Sequence, residues 1–235
     1  MQPYFLPYLG YWQLLNVVDI FVVYDNIQFT KKGWFNRNYM LSKGQKCLFS
    51  LPLKKDSDFL NVDERHLADD SHVMIEKTLR VIAESYKKSP FFEQTFPLIQ
   101  DIFRFADKNL FRFIKHSIDR ITAHLSIDTQ IIISSDIGID HALRAEEKVI
   151  ALCKKLNATS YINPIGGLSL YDPVRFQKNG VQLSFLNTLC PHYPQMSPKF
   201  VSHLSILDLL MQVGVDGVNS TLNSFEYVYS EKLCL

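Results

Sequence analysis

Residues Asp19 to Tyr24 read DIFVVY, an apolar, β-branched and aromatic run closed by a polar residue at each end. That pattern predicts a strand buried on both faces. Gln45 to Leu53 (QKCLFSLPL) is a second candidate strand and Asn61 to Leu67 a third. The middle of the chain changes period. Ile75, Leu79, Ile82 and Tyr86 recur at helical spacing, as do Ile114, Ile118, Ile121 and Leu125, and a further helix is expected between them from about Pro90 to Asp107. Three helices in succession predict an inserted helical lobe over about residues 71–126. The last third returns to alternation. Strands are expected at Gln130–Ser134, Thr159–Ile162 and Val181–Leu186, and helices at His141–Leu156 and Leu204–Gln212, the last stopped at Gly214. The expected fold is α/β: a mostly parallel central sheet with flanking helices, in one domain over residues 1–235. Ligands of such sheets bind beyond the carboxyl ends of the strands, which singles out the loops after Tyr24, Ile133 and Ile162.

The opening stretch, MQPYFLPYLGY, has two prolines and a glycine among aromatics, which describes a fixed irregular loop leading to a short helix from about Gly10 to Val18. Gln2, Tyr4 and Tyr8 could hydrogen-bond and stack on a sugar or nucleotide; the same loop could equally plug the core. Asp25 follows the first buried strand, the usual place for a functional carboxylate. Lys31, Lys32, Asn36, Arg37 and Asn38 follow in what reads as an irregular segment. Arg37 could clamp a phosphate while Asn36 and Asn38 orient hydroxyls or an amide; the structural alternative is an Arg37–Asp25 or Arg37–Asp19 pair with turn-capping asparagines. Ser134, Ser135 and Asp136 sit at a strand end without a Gly-x-Ser-x-Gly elbow, so a turn or cap competes with a binding role for Ser135. Asn163, Gly166 and Gly167 form a loop that lets a ligand approach backbone, or simply turns tightly. Asp172-Pro173 reads as a helix start. His192, with Tyr193 and Gln195 among prolines, is the candidate general base, since imidazole takes a proton near neutral pH; a backbone-bonded histidine is the alternative. No metal-ligand spacing occurs.

Four stretches together resemble the WbqC-like family: MQPYFLPYLGYWQLL (1–15), DIFVVYDNIQFTKKGWFNRN (19–38), ISSD with YINPIGG (133–136 and 161–167), and PHYPQ with LSILDLL (191–195 and 204–210). The resemblance implies a bacterial enzyme of surface-polysaccharide (O-antigen) biosynthesis. It would transfer an acyl or aminoacyl group, such as glycyl, to an amino sugar carried on a nucleotide. Under it, Gln2, Tyr4, Tyr8, Arg37 and Asn38 bind the sugar, Asp25 or His192 takes the proton, and backbone donors near Gly166 meet the oxyanion. That assignment requires the amino-terminal loop, the Asn-Arg-Asn stretch and the His192 region to line one cavity. Family members often carry apolar residues ahead of the Gln-Pro that would form a first strand, so the resemblance implies either that this strand is missing here or that the true start lies upstream of Met1. Tyr8-Leu9-Gly10-Tyr11 is also similar to the nucleotidyltransferase His-x-Gly-His signature with tyrosine at both histidines, so a nucleotide-using enzyme is a second expectation. A non-enzymatic binding protein of a polysaccharide-assembly complex is a third.

Composition narrows the partners. Lys plus Arg number 25 against 24 Asp plus Glu, a balance that gives no basic face for nucleic acid. No apolar run reaches the length of a membrane span and the amino terminus lacks a secretory pattern, so the expected location is the cytoplasm and the expected partner a small molecule, a nucleotide sugar. Cys47, Cys153, Cys190 and Cys234 are too scattered for a zinc or redox motif; Cys47 and Cys153 read as buried apolar residues. The sequence names neither a cofactor nor an oligomeric state.

Overall fold

The computed structural model describes residues 1–229, so Cys234 lies outside the described residues. In chain order the elements are α1 (Leu9–Val17), β1 (Ile20–Val23), β2 (Arg37–Ser42), β3 (Gln45–Ser50), α2 (Ser71–Tyr86), α3 (Phe92–Phe103), α4 (Leu110–His124), β4 (Gln130–Ile133), α5 (Ala145–Lys155), β5 (Ser160–Pro164), α6 (Pro173–Lys178), β6 (Gln182–Thr188), α7 (Ile206–Thr221) and β7 (Phe225–Val228). The class is mixed α/β, and the three helices expected in the middle form.

The single parallel sheet does not. The strands fall into three small sheets: a parallel pair β1–β4, an antiparallel hairpin β2–β3, and β5–β6–β7 with β5 and β6 parallel and β7 antiparallel. The third strand expected at Asn61–Leu67 is also replaced. Asn61 and Glu64 form a reciprocal capping box that nucleates a 3-10 turn over Val62–Glu64 instead. Arg37 and Asn38, expected in an irregular segment, open β2. Cys47 is only half-buried, whereas Cys153 is buried as expected.

A main core holds most of these pieces together, and a second, smaller cluster of Val149, Ile150, Cys153, Phe176, Val181, Leu183 and Phe185 packs α5 and α6 against β6. Phe5, fully buried, packs edge-on to Phe103 at 5.2 Å and beside Phe49 and Phe113. Leu6, Tyr11 and Trp12 are buried with it, so the amino-terminal loop does plug the core. The carbonyls of Phe5, Leu6 and Pro7 are all answered. Asn38 donates from Nδ2 to Phe5 O and Leu6 O, Ser205 donates from Oγ to Leu6 O at 2.7 Å, and Trp12 Nε1 and Ile206 N donate to Pro7 O. Leu6 itself is held at φ 44°, in the left-handed region. At the other end α7 bends at Gly214 (φ 67°, ψ −173°), where the Phe91 ring lies 2.5 Å from the place a Cβ would occupy.

The two parallel units are separated by a slot of about 300 Å³. β1 and β5 are both edge strands there, and α1 (Leu14, Val17) and α5 (Val149, Leu152, Cys153) line the same slot. Met1 already pairs with β1 in the parallel sense: its nitrogen donates to Val22 O and its carbonyl accepts from Tyr24 N at 2.9 Å. By strand alternation, Ile20 and Val22 turn their remaining backbone groups to the same edge. An apolar extended segment joined ahead of Met1 is therefore expected to continue this ladder between β1 and β5. Five alternating valines and isoleucines placed there should raise Tm by about 4 °C or more over a Gly-Ser extension of equal length; matching melting temperatures for the two extensions would refute the ladder.

Candidate functional site

A cleft of about 1000 Å³ opens where the parallel strands end. Its walls come from the amino-terminal loop, the segment after β1, the start of α5 and the turn after β5. Six residues expected at a site meet there: Gln2, Tyr4, Tyr8, Asn163, Gly166 and Gly167. Tyr4 and Tyr8 alternate with the buried Phe5 and Leu6, so the loop plugs the core with one set of side chains and lines the cleft with the other. Tyr4 Oη donates to Gln2 Oε1 at 2.8 Å, fixing that amide's orientation. Burial raises the proton affinity of both tyrosines, which keeps them neutral hydrogen-bonding groups. After β5, a Cβ on Gly167 would collide with the Asn163 amide, whereas Gly166 faces open space. Tyr161 Oη donates to Asn163 Oδ1 at 3.2 Å.

The opposite wall was not legible in advance. Lys148, on the first turns of α5 and only 9% exposed, donates to Asn26 Oδ1 at 3.1 Å and lies 5.2 Å from the Tyr24 ring. Asn26 Nδ2 in turn donates to His141 Nδ1 at 3.0 Å, and His141 Nε2 contacts Ile137 O at 3.0 Å. A carbonyl can only accept, so Nε2 is the donor to Ile137 O, and Nδ1 faces the Asn26 amide donor. Burial lowers the proton affinity of Lys148, while the nearby Asp25 carboxylate works the other way. Arg144 stands exposed at the mouth, beside the free N–H groups of the α5 start. The acids next to it are drawn off: Glu146 and Glu147 pair with Arg175 at 3.0 and 2.8 Å, and Glu146 accepts from Asp172 N. Asp172 itself caps α6 through Val174 N, as the Asp-Pro pattern predicts. Among the described residues, the cleft lining contains no aspartate or glutamate. Lys148, Arg144, His141, Asn26, Tyr24 and Tyr171 complete the site; the sequence singled out the loop after Tyr24, which carries Asn26, but named none of these six as a site residue.

The remaining expected residues lie elsewhere, and the single shared cavity does not form. Consecutive residues of a strand point to opposite faces, which splits the Asn-Arg-Asn stretch. Asn38 is inside the core on Phe5 O and Leu6 O, and Asn36 donates to Leu51 O at 2.9 Å. Arg37, bonded to Gly33 O and over the Trp34 ring, lines a separate depression with Asn36. Asp25 is buried beneath the cleft wall, where its Oδ1 accepts from Ser135 N at 3.1 Å; Ser135 contributes only that backbone contact. His192 stacks on Phe200 at 4.2 Å and is not among the cleft-lining residues. Tyr193 and Gln195 are drawn to Asp208, which is fully buried. Tyr193 Oη donates to its Oδ2 at 2.6 Å, Gln195 Nε2 to the same oxygen at 3.1 Å, and Tyr86 Oη to Oδ1 at 2.8 Å. Together they fasten the proline-rich loop onto α7.

Comparison with known proteins agrees with the residue patterns. The family model for WbqC-like proteins matches residues 2–220. An uncharacterized protein of Mycobacterium tuberculosis is 25% identical over 218 residues, covering 92% of this chain and 93% of the relative. No solved structure matches.

The Asp208 cluster makes a pH prediction. Burial pushes this carboxyl above its ordinary value of 3.8, against the opposing pull of the Tyr193, Tyr86 and Gln195 donors. A carboxyl raised in the native state holds its proton more tightly there than in the unfolded chain. Its contribution is therefore fully present below the ordinary value and is lost as pH rises through the raised one. Asp208→Asn removes that linkage. Thermal melts from about pH 7 down to about pH 4 should show the native protein gaining steadily on the variant; a constant difference would show that Asp208 does not titrate in that window.

Proposed function

This chain belongs to the WbqC-like protein family, and on that premise we propose that it binds a nucleotide-linked amino sugar in the large cleft and transfers an acyl or aminoacyl group to the sugar amine during surface-polysaccharide synthesis. The observation that carries the reading is the charge of the cleft. A cavity of about 1000 Å³ presents Lys148, Arg144 and a helix start, with no carboxylate in its lining among the described residues. Such a site selects an anion, and a diphosphate suits the paired cations and free backbone N–H groups. The rings of Tyr4, Tyr8, Tyr24, Tyr171 and Trp34 offer flat apolar faces with polar tips for a base and a sugar. The amides of Gln2, Asn26 and Asn163 supply both donors and acceptors, as hydroxyl and acetamido groups require.

In this reading Arg144 and the α5 start meet the phosphates at the mouth. Lys148 lies deeper, held by Asn26, where burial lowers its proton affinity and the Asp25 carboxylate behind it favours the charged form. In this reading the open backbone at Gly166 donates to the acyl oxygen as the neutral amine adds to the carbonyl carbon, and the amine proton leaves with the acyl carrier as the bond to that carrier breaks. Asp25 acts through Lys148 rather than on the substrate, and His192 has no part in the reaction.

Thermal-shift titration tests the reading. A uridine diphosphate-linked amino sugar is expected to raise Tm of the native protein, because a ligand at about 100 times its Kd stabilises by about 2.7 kcal/mol. Lys148→Met keeps the side-chain volume and removes the charge; the apparent Kd should rise at least about tenfold, roughly the loss of one charge-assisted contact. Nucleotide sugars and free nucleotides that leave Tm unmoved would exclude the proposal. An unchanged Kd in the variant would exclude Lys148 from it.

A further inference from the structure

A second basic depression, of about 340 Å³, lies outside the cleft on the β2–β3 side of the molecule. Lys31, Arg37, Lys54, Lys55 and Arg65 line it against one acid, Asp56. Its floor is unusual. Arg65 is only 4% exposed, with its guanidinium 4.8 Å over the Phe29 ring. Nη1 donates to Ser57 O at 2.9 Å and Nη2 to Lys54 O at 3.2 Å, while Nε has no partner. Both contacts are to neutral carbonyls, and Arg65 forms no ion pair among the described residues. A buried cation with an unanswered N–H is costly, and native structures normally supply it with an anion. The surrounding acids do not: Lys31 holds Asp58 at 2.8 Å and Lys54 holds Asp69 at 2.9 Å, both out in solvent. Arg37 sits at the edge with only its Nε engaged, on Gly33 O.

We propose that this depression is an anion site, separate from the cleft, that takes a phosphomonoester or diphosphate group between Arg65 and Arg37. Two guanidinium groups match the several oxygens of a phosphate, and Lys55 adds charge while forming no ion pair among the described residues. The site does not depend on what the cleft binds. The segment from Lys54 to Leu60 stands between the two: its Ser57 and Lys54 carbonyls hold Arg65, its Asp58 carbonyl accepts from Gln28, and Phe59 and Gln28 line the cleft. A phosphate here therefore lies across one chain segment from the larger cavity, as a second, phosphate-bearing reactant would.

Inorganic pyrophosphate is the probe, titrated against sodium chloride of matched ionic strength. The native protein and Lys148→Met should both melt about 3 °C or more higher at saturation. The cleft also offers cations to a diphosphate, so Arg37→Met is read in the Lys148→Met background, where it should abolish the remaining shift, with an apparent Kd at least about tenfold weaker; Arg37 is half-buried on the rim, so this change keeps the core intact. No shift in Lys148→Met, or a shift undiminished when Arg37→Met is added to it, would each overturn the proposal. The first outcome places the anion in the cleft, the second in the general field of the protein. Because the nucleotide-sugar titration is scored on Lys148, either site can fail without the other.

Discussion

Three consecutive carbonyls, those of Phe5, Leu6 and Pro7, govern how this molecule is put together. They lie in the interior, where an unanswered acceptor would be expensive. Their donors come from three parts of the chain: Asn38 on β2, Trp12 on α1, and Ser205 with Ile206 at the start of α7. The left-handed turn at Leu6 that this clamp holds directs Phe5 and Leu6 inward and leaves Tyr4 and Tyr8 on the cleft. Core and site are thus two sides of one loop, and neither can change its course alone.

The same clamp explains what the sequence could and could not disclose. Periodicity located the helices and most strands, because each answers to its own local pattern. Sheet assembly depends instead on which edges meet, and nothing local to β1 or β5 announces that their outer edges face each other across a slot. The Asn-Arg-Asn stretch looked like a polar binding loop, but strand alternation sent one asparagine into the core and the arginine to another face. Lys148 was hidden for the opposite reason. In AEEKVIALCKK it looks like one more lysine on an ordinary helix surface. Only the fold shows that Arg175 takes both neighbouring glutamates and leaves Lys148 facing the cleft without an acid.

That redistribution of charge recurs. A chain of near-zero net charge still builds two cationic concavities: Glu146 and Glu147 are spent on Arg175 outside the cleft, and in the depression Arg37, Lys55 and Arg65 form no ion pair among the described residues after Lys31 and Lys54 have taken Asp58 and Asp69. Composition alone excludes a broad basic face but says nothing about such local segregation, which is the scale on which small anions are recognised.

The bend in α7 reaches further than its own helix. Past Gly214 the chain is redirected so that the carbonyls of Thr221 and Ser224 meet Nε2 of the buried Gln13 at 2.8 and 2.9 Å. The next residues then run back as β7 to cover the outer edge of β6. A straight α7 would carry those carbonyls away from α1 and leave β6 an uncovered border. The seating of α1, and the closure of the last sheet against unwanted strand partners, both trace to a position where the Phe91 ring leaves room for a hydrogen atom and nothing larger.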